Sequence, residues 1–320
     1  MKIHIPNSAF LGNIDSFLKG FDPEDETILE ITANDKWISA HPLVISMIAS
    51  LGALITDKSR IVSPRVTAKS IHYLERMGLF RIIGVDPGIR IEEHEPAGRF
   101  IPLVFVSSQD ELSGFIRDMI PLLHLEPQHA EPIRYIIGEL VRNVIEHSRS
   151  EGAFVCCQYY KKTNRIALGV VDSGVGIRRT IGVSHKVEND LEAIKLALTP
   201  GITGMTNRIG GTDFNAGAGL FFIKSIATVN RDFFIIYSGT GMYKLLKRSE
   251  GKRTNLHSDP FRDNHSRHDN LPEWKGTAVG IDITLDKTKE FNDILDLIGD
   301  VFHKEIREQK RRRYRKPRFI

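Results

Sequence analysis

The sequence predicts an α/β protein in which helices pack on sheets, and three observations carry that expectation. Strand-like and helix-like patterns alternate through the first hundred residues. Residues 131–148 place Ile133, Ile136, Ile137, Leu140, Val141, Val144 and Ile145 at three- and four-residue steps, the period of an amphipathic helix. Residues 153–160 and 165–171 read as two strands joined by a polar turn.

At 320 residues and 41% hydrophobic, the chain can bury a sizeable core, and its length points to two domains. No apolar run reaches the roughly 18–20 residues that a membrane helix needs, so no membrane span is expected. The first residues, Met1-Lys2-Ile3-His4-Ile5-Pro6, lack the long apolar stretch of a signal peptide. Cys156 and Cys157 are adjacent, so in a strand they point to opposite faces and neither bridge nor clamp a metal. These features indicate a reduced, cytoplasmic protein. The net charge of +4 is unevenly placed. Eight of the 44 basic and one of the 40 acidic residues lie from Arg307 onward, leaving 36 basic against 39 acidic before it. The body is near neutral and the basic character is a tail.

Residues 1–98 read as a small α/β domain ending in a linker. Residues 27–32 alternate as a strand, and 43–55 form a helix interrupted by Gly52. A short strand at 61–62 is followed by a second helix over 67–77, which Gly78 stops, and by a strand over 79–85. The acidic, Pro- and Gly-containing stretch 86–98 is the linker. Ala68-Lys-Ser-Ile-His-Tyr-Leu-Glu-Arg-Met-Gly78 and the residues after it resemble the closing helix of a sulfate-transporter and anti-sigma antagonist (STAS) domain. In that family a regulatory Ser or Thr precedes the first long helix. Ser39 occupies the corresponding place without the accompanying acid, so a phosphorylatable serine and a plain cap or turn serine both stay open.

Residues 99–305 form the larger domain and 306–320 a basic C-terminal tail. A strand over 100–107 and a helix over 110–123 precede the amphipathic helix. On that helix Glu139, Asn143 and Glu146 fall within about 60° of one another, opposite the apolar stripe. Alone, the spacing describes a solvated face equally well. The strand over 165–171 runs into Asp172-Ser-Gly174-Val-Gly176-Ile177. A carboxylate at the end of a buried strand needs a partner, and the amine of an adenine is a natural one; a bland turn is the other reading of these residues. A long connection, 178–216, carries one helix (190–198) and Gly201, Gly204, Gly210 and Gly211, the composition of a lid. It ends at Gly217-Ala-Gly219-Leu220, which opens an apolar helix over 221–229; a glycine-rich helix start presents free N–H groups to phosphate. Strands at 233–238 and 241–247 follow. A polar loop over 251–273 holds His257, His265 and His268 at no metal-ligand spacing, and reads as a solvated hairpin insertion. The last strand spans 275–284 and carries Gly276-Thr277 near its start. The chain has neither a Walker-type phosphate loop nor a dinucleotide fingerprint.

Glu139-x-x-x-Asn143, Asp172-x-Gly174-x-Gly176, Gly217-x-Gly219 and Gly276-Thr277, in this order, resemble the N, G1, G2 and G3 boxes of the GHKL ATPases. That superfamily contains gyrase, large heat-shock chaperones, histidine kinases and mismatch-repair ATPases. The resemblance covers residues 100–300 and implies a Bergerat ATP-binding fold, a two-layer α/β sandwich of a mixed sheet with helices on one face. It implies ATP and Mg²⁺ as ligands. Asn143 would be the metal ligand, Asp172 the adenine contact shared through water with Thr277, and Gly217, Gly219 and Leu220 the lid's hold on the triphosphate. Gly174 and Gly176 would shape the adenine loop, and Glu139 would be the general base. Asn143-Val-Ile-Glu146-His147 resembles the Asn-x-x-x-His of histidine-kinase-like members, which puts His147 near phosphate; a plain surface histidine is the alternative.

Three functions follow: a regulatory ATPase with a closing lid, an anti-sigma-type serine kinase acting on a STAS-like domain, and a nucleotide-gated binding module whose tail contacts nucleic acid. A sensor histidine kinase is disfavoured, because no phosphoacceptor His lies on a helical hairpin ahead of Asn143. No transducer domain is expected after Thr284, so motor action implies a protein partner; a homodimer is one arrangement of such a partner.

Overall fold

The computed structural model describes residues 1–34, 37–63, 70–89, 99–206, 208, 210, 217–248, 255–285 and 291–313. The N-terminal part contains β1 (Lys2–Ile5), β2 (Ser8–Ala9), α1 (Asp15–Lys19), β3 (Leu29–Ala33), β4 (Ser39–Ala40), α2 (Pro42–Leu54), β5 (Ile61–Val62), α3 (Ile71–Arg76) and α4 (Leu79–Ile83). β3 lies between β1 and β5 in a small parallel sheet, and β2 pairs with β4. The strand expected over 79–85 is instead α4. Leu79, Phe80 and Ile83 are buried at helical spacing, and Gly78 (φ +80°) and Gly84 (φ +72°) bracket the turn in the left-handed conformation that glycine adopts without strain. Ile83 packs where a side chain on Gly52 of α2 would collide with it, so the glycine that interrupts the helix pattern is a contact point. Ser39 sits in β4 and does not cap α2. His41 does, its Nδ1 accepting from the Leu43 N–H at 3.0 Å. Residues 67–69 of the expected helix and 90–98 of the expected linker lie outside the described residues.

The larger part contains β6 (Phe100–Val106), α5 (Gln109–Gly114), α6 (Pro127–Asn143), β7 (Ala153–Tyr160), β8 (Arg165–Asp172), α7 (Gly176–Gly182), α8 (Asp190–Ala197) and α9 (Gly219–Asn230). It continues through β9 (Phe234–Gly239), β10 (Gly241–Leu245), β11 (His265–His268), β12 (Trp274–Thr284) and α10 (Phe291–Arg313). Seven strands form one sheet in the order β11-β10-β9-β12-β8-β7-β6. Every neighbouring pair is antiparallel, so the sheet is not mixed. Tight turns between β7 and β8 and between β9 and β10 impose that direction locally.

Both faces of this sheet are covered. On one, Val155, Cys157, Leu168, Val170, Val279 and Ile281 join the core beneath α6, α9 and α10. On the other, Phe154, Cys156, Val171, Ile235, Tyr237 and Ala278 join the core of the N-terminal part. The two cysteines therefore point to opposite faces, as adjacent strand residues must. Helices on one face only were expected; the second is occupied by α2, and the cause is a pair of glycines. Gly169 of β8 and Gly280 of β12 are cross-strand partners. A side chain on Gly169 would strike the backbone of Pro42 and Leu43, and one on Gly280 would press on the Leu43 side chain. Bare backbone at both positions lets the start of α2 lie directly on the sheet.

Three further elements depart from the sequence pattern. The helix expected over 110–123 is split into α5, a π-turn at Phe115–Met119 and a 3₁₀ turn at Ile120–Leu123 that contains Pro121. α7 was not anticipated, although Ile177 and Ile181 are buried at i, i+4 spacing. The tail does not begin as a separate segment at 306, because α10 runs unbroken to Arg313 and buries Ile294, Ile298, Phe302 and Ile306 at four-residue steps. Residues 314–320 lie outside the described residues.

Candidate functional site

α6 carries the first wall of the site. Its stripe of Ile133, Ile136, Ile137, Leu140 and Val141 is buried, which turns Glu139 and Asn143 away from that core. At Val144 the helix widens into a π-turn through Ser148. Such turns redirect the side chains that follow and recur at functional sites. Ser148 donates to the Val144 carbonyl at 2.7 Å, and its own carbonyl accepts from the Val175 N–H at 2.7 Å. The end of α6 is thereby fastened to the loop after β8.

That loop begins at Asp172, which is 2% exposed. Burial pushes its carboxyl up to about 7, against the opposing pull of N–H groups from Gly174 and Thr277. The Gly174 N–H donates to Oδ1 at 2.8 Å. Among the described residues no cation is paired with Asp172 in this arrangement. Asp172, Thr277 and Ser238 lie in one row across β8, β12 and β9, so their side chains share a face. Ser238 was not singled out in the sequence, yet its hydroxyl accepts from the Ile177 N–H at 2.9 Å and donates to the Gly276 carbonyl at 2.6 Å. It pins the start of α7 to the start of β12. Gly276 (φ +95°) brings its backbone against the Asp172 carbonyl, where a side chain would collide.

The opposite wall is the N-terminus of α9. A Cβ on Gly219 would come within 2.7 Å of Glu139 Oε2 and 3.7 Å of Asn143 Nδ2, so the helix start and the polar face of α6 confront each other directly. Glu139 is held by Arg142, whose Nη1 lies 2.5 Å from Oε1. Arg142 is a participant that residue spacing gave no reason to select. Further along α9, Lys224 is fully buried on Asp263 at 2.6 Å and fixes the helix to the loop before β11.

These walls enclose a cavity of about 340 Å³. Glu139, Asn143, His147, Asp172, Gly176, Gly217, Gly219, Leu220 and Thr277 all line it, and its apolar lining includes Val170, Val279, Leu140, Ile177 and Ile202. Gly174 is the one expected residue outside the lining. It packs so closely on the Ser148 backbone that any side chain would clash, and its place is to seat the loop. His147 lies 3.8 Å from Glu146. Of the glycines expected in a lid, Gly201 and Gly204 sit beside the cavity, Gly210 neighbours Gly201, and 211–216 lie outside the described residues. His265 is half-buried and stacks on Tyr243 and Phe261, with ring centres 5.1 and 5.4 Å away.

Chemically the cavity has two ends. A buried carboxylate beside a threonine hydroxyl suits a flat heterocycle that donates hydrogen bonds. A carboxamide and a carboxylate facing a glycine-rich helix N-terminus suit a metal–phosphate group. Neither a protein-family model nor a curated protein matches this chain.

Proposed function

We propose that the cavity binds ATP with Mg²⁺ and that the chain is a regulatory ATPase of the GHKL type, its larger part a variant of the Bergerat fold and its N-terminal part STAS-like. One observation carries the proposal. Four separated stretches of sequence that resemble four nucleotide boxes line one cavity, and at one end lies a buried carboxyl with backbone N–H donors but no cation beside it among the described residues. A buried carboxylate whose charge no cation neutralises is costly in a resting protein, even with two N–H donors. A ligand that donates a hydrogen bond to it recovers part of that cost on binding.

In this proposal Asp172 accepts from the exocyclic amine of adenine, and Thr277, its neighbour across β12, shares the contact. Val170, Val279 and Ile177 cover the ring faces. The N–H groups at the start of α9 hold the phosphates, whose charge the helix dipole favours. Asn143 offers a carboxamide oxygen and Glu139 a carboxylate. Mg²⁺ commonly takes one or two protein oxygens and completes its shell with phosphate oxygens and water, so the donor set fits. When bound, the ion neutralises charge on the phosphates. Glu139 orients a water for attack and accepts its proton; to do so it must release Arg142.

Transfer to Ser39 of the same chain is disfavoured. Ser39 leads into Pro42, whose carbonyl accepts from Cys156 on the N-terminal face of the sheet, and the sheet separates that face from the cavity. Hydrolysis or transfer to another molecule is the activity this arrangement supports. The test is ATP binding and turnover in wild type, Asp172→Asn and Glu139→Ala. Asp172→Asn is expected to lose binding. Glu139→Ala keeps binding and loses about 10²- to 10⁴-fold in turnover. Wild-type turnover in both variants would overturn the assignment, and label from [γ-³²P]ATP appearing on protein instead of free phosphate would redirect it to a kinase.

A further inference from the structure

Three carboxyls line the cavity, those of Glu139, Glu146 and Asp172. Among the described residues of that lining, Arg142 is the one lysine or arginine. It is already engaged, since its Nη1 lies 2.5 Å from Glu139 Oε1. The pair stands at the end assigned to phosphate: Glu139 Oε2 is 2.7 Å from where a Cβ on Gly219, the first residue of α9, would lie. The expected base and the guanidinium thus occupy each other.

The contact is of a kind that can be exchanged. Glu139 and Arg142 are three residues apart, neighbours across one turn of α6. The opposite face of that helix is locked by Ile136, Ile137, Leu140 and Val141. Turning Arg142 away therefore needs a change of rotamer and no movement of backbone. Both side chains are partly exposed, and an ion pair in that setting is screened by water and weakly held. One nitrogen meets one oxygen. A terminal phosphate offers three charged oxygens, two of which a guanidinium can meet at once with parallel N–H groups. Between a single carboxylate oxygen and that fork, the phosphate is the stronger acceptor.

We propose that Arg142 exchanges Glu139 for the terminal phosphate of a nucleoside triphosphate, so that one side-chain movement distinguishes triphosphate from diphosphate and frees the base. The inference rests on reading the cavity as an ATP site. With a diphosphate bound the pair stays closed and Glu139 is withheld. With a triphosphate bound the guanidinium moves to the phosphate and Glu139 is released to orient water. Arg142 is then the residue that sets specificity for the triphosphate, and the group to be cleaved is what opens the contact. The base stays occupied whenever there is nothing to cleave.

The experiment is calorimetric titration of the full chain, with Mg²⁺, against ADP and against the β,γ-imido analogue of ATP. Wild type is compared with Arg142→Ala, Glu139→Gln and the double variant. Arg134→Ala is the control, because Arg134 is exposed on α6 and lies outside the cavity lining. The quantity read is the preference for the analogue over ADP, which is expected to favour the analogue in wild type and in Arg134→Ala. Arg142→Ala lowers that preference by at least about tenfold and leaves ADP affinity unchanged, which also reports an intact fold. Glu139→Gln removes the competitor for the guanidinium, so the preference rises several-fold, and this gain vanishes when Arg142 is also replaced. A gain that persisted in the double variant would reflect relief of repulsion alone and would overturn the exchange. Equal losses of ADP and analogue in Arg142→Ala, or a preference that does not rise in Glu139→Gln, would overturn it too. In those cases the cavity is still a nucleotide site, whereas failure of wild type to bind either nucleotide removes the ATP reading and the exchange with it.

Discussion

Asp172 carries a carboxyl buried in the wall of the cavity. Its proton is held up to about pH 7 in the folded protein against 3.8 for the free group, so the folded state binds that proton more tightly than the unfolded state. The stability this lends is fully present below pH 3.8, falls as the pH rises from there, and has gone once the pH passes about 7. Asp172→Asn, which cannot ionise, is therefore expected to match wild type near pH 3.5 and to exceed it progressively up to pH 7, by as much as about 4 kcal/mol. Urea denaturation across that range measures the difference, and a gap that stayed constant with pH would show that Asp172 titrates normally. The same proton bears on binding. A ligand that donates to the carboxylate selects its ionised form, so affinity for ATP should fall about tenfold per pH unit below 7 and level off above it; calorimetry in buffers of different ionisation enthalpy would register the released proton. Asp172 and Thr277 were legible in the sequence because each sits at a fixed offset from glycines, and Glu139 because it stands one helical turn before Asn143 on the same face. Arg142 and Ser238 were not. Their partners, Glu139 at 2.5 Å and the Ile177 N–H at 2.9 Å, become neighbours only after folding or through a turn of helix, and no spacing rule separates them from ordinary surface and strand residues.

At the level of elements, glycine placement decides which surfaces touch. Most helices and strands of the larger part could be read from period and turn chemistry. The exceptions are short, like α7 here and α4 in the N-terminal part, or are set by packing, like the π-turn after Asn143. Docking of α2 on β8 and β12 left only a faint mark, namely Gly169 and Gly280 inside strands that otherwise favour bulk. Gly169→Val is expected to force the start of α2 off the sheet and to lower stability by about 3 kcal/mol or more. Gly299 is the control. It lies inside α10 with open space where a Cβ would stand, so Gly299→Ala should raise stability by roughly 0.5–1 kcal/mol through helix propensity. Thermal melts of the two variants decide the matter; equal effects would mean that the glycine pair is not a contact point. α10 makes the complementary case. Charge alone marked its end as a tail, whereas the stripe Ile294, Ile298, Phe302 and Ile306 keeps it helical and seated as far as Arg313.

For the molecule as a whole, the sheet is a shared middle layer. Phe154, Cys156, Val171, Ile235, Tyr237 and Trp274 are buried by the N-terminal part, and a buried pair links the layers where His41 Nε2 stands 3.5 Å from Asp282. Asp15 and Lys244 form another such link. A fragment of residues 99–320 is thus expected to expose that apolar face, to bind a hydrophobic dye and to aggregate, instead of behaving as a free-standing nucleotide-binding domain. A monodisperse fragment with the full protein's ATP affinity would refute this. No helix is long and apolar enough to cross a membrane among the described residues. The position of α2 also has a consequence for the timing of synthesis. Pro42 and Leu43 leave the ribosome early, but of the two strands they rest on, β8 ends at Asp172 and β12 only at Thr284. With roughly 240 residues between Leu43 and Thr284 and translation at about 5–20 residues per second, the helix waits about 10–50 s for its completed sheet. Through that interval its buried stretch from Leu43 to Gly52 is covered by β7 and β8 first and sealed only when β12 joins them, so this early helix is completed by the last strand.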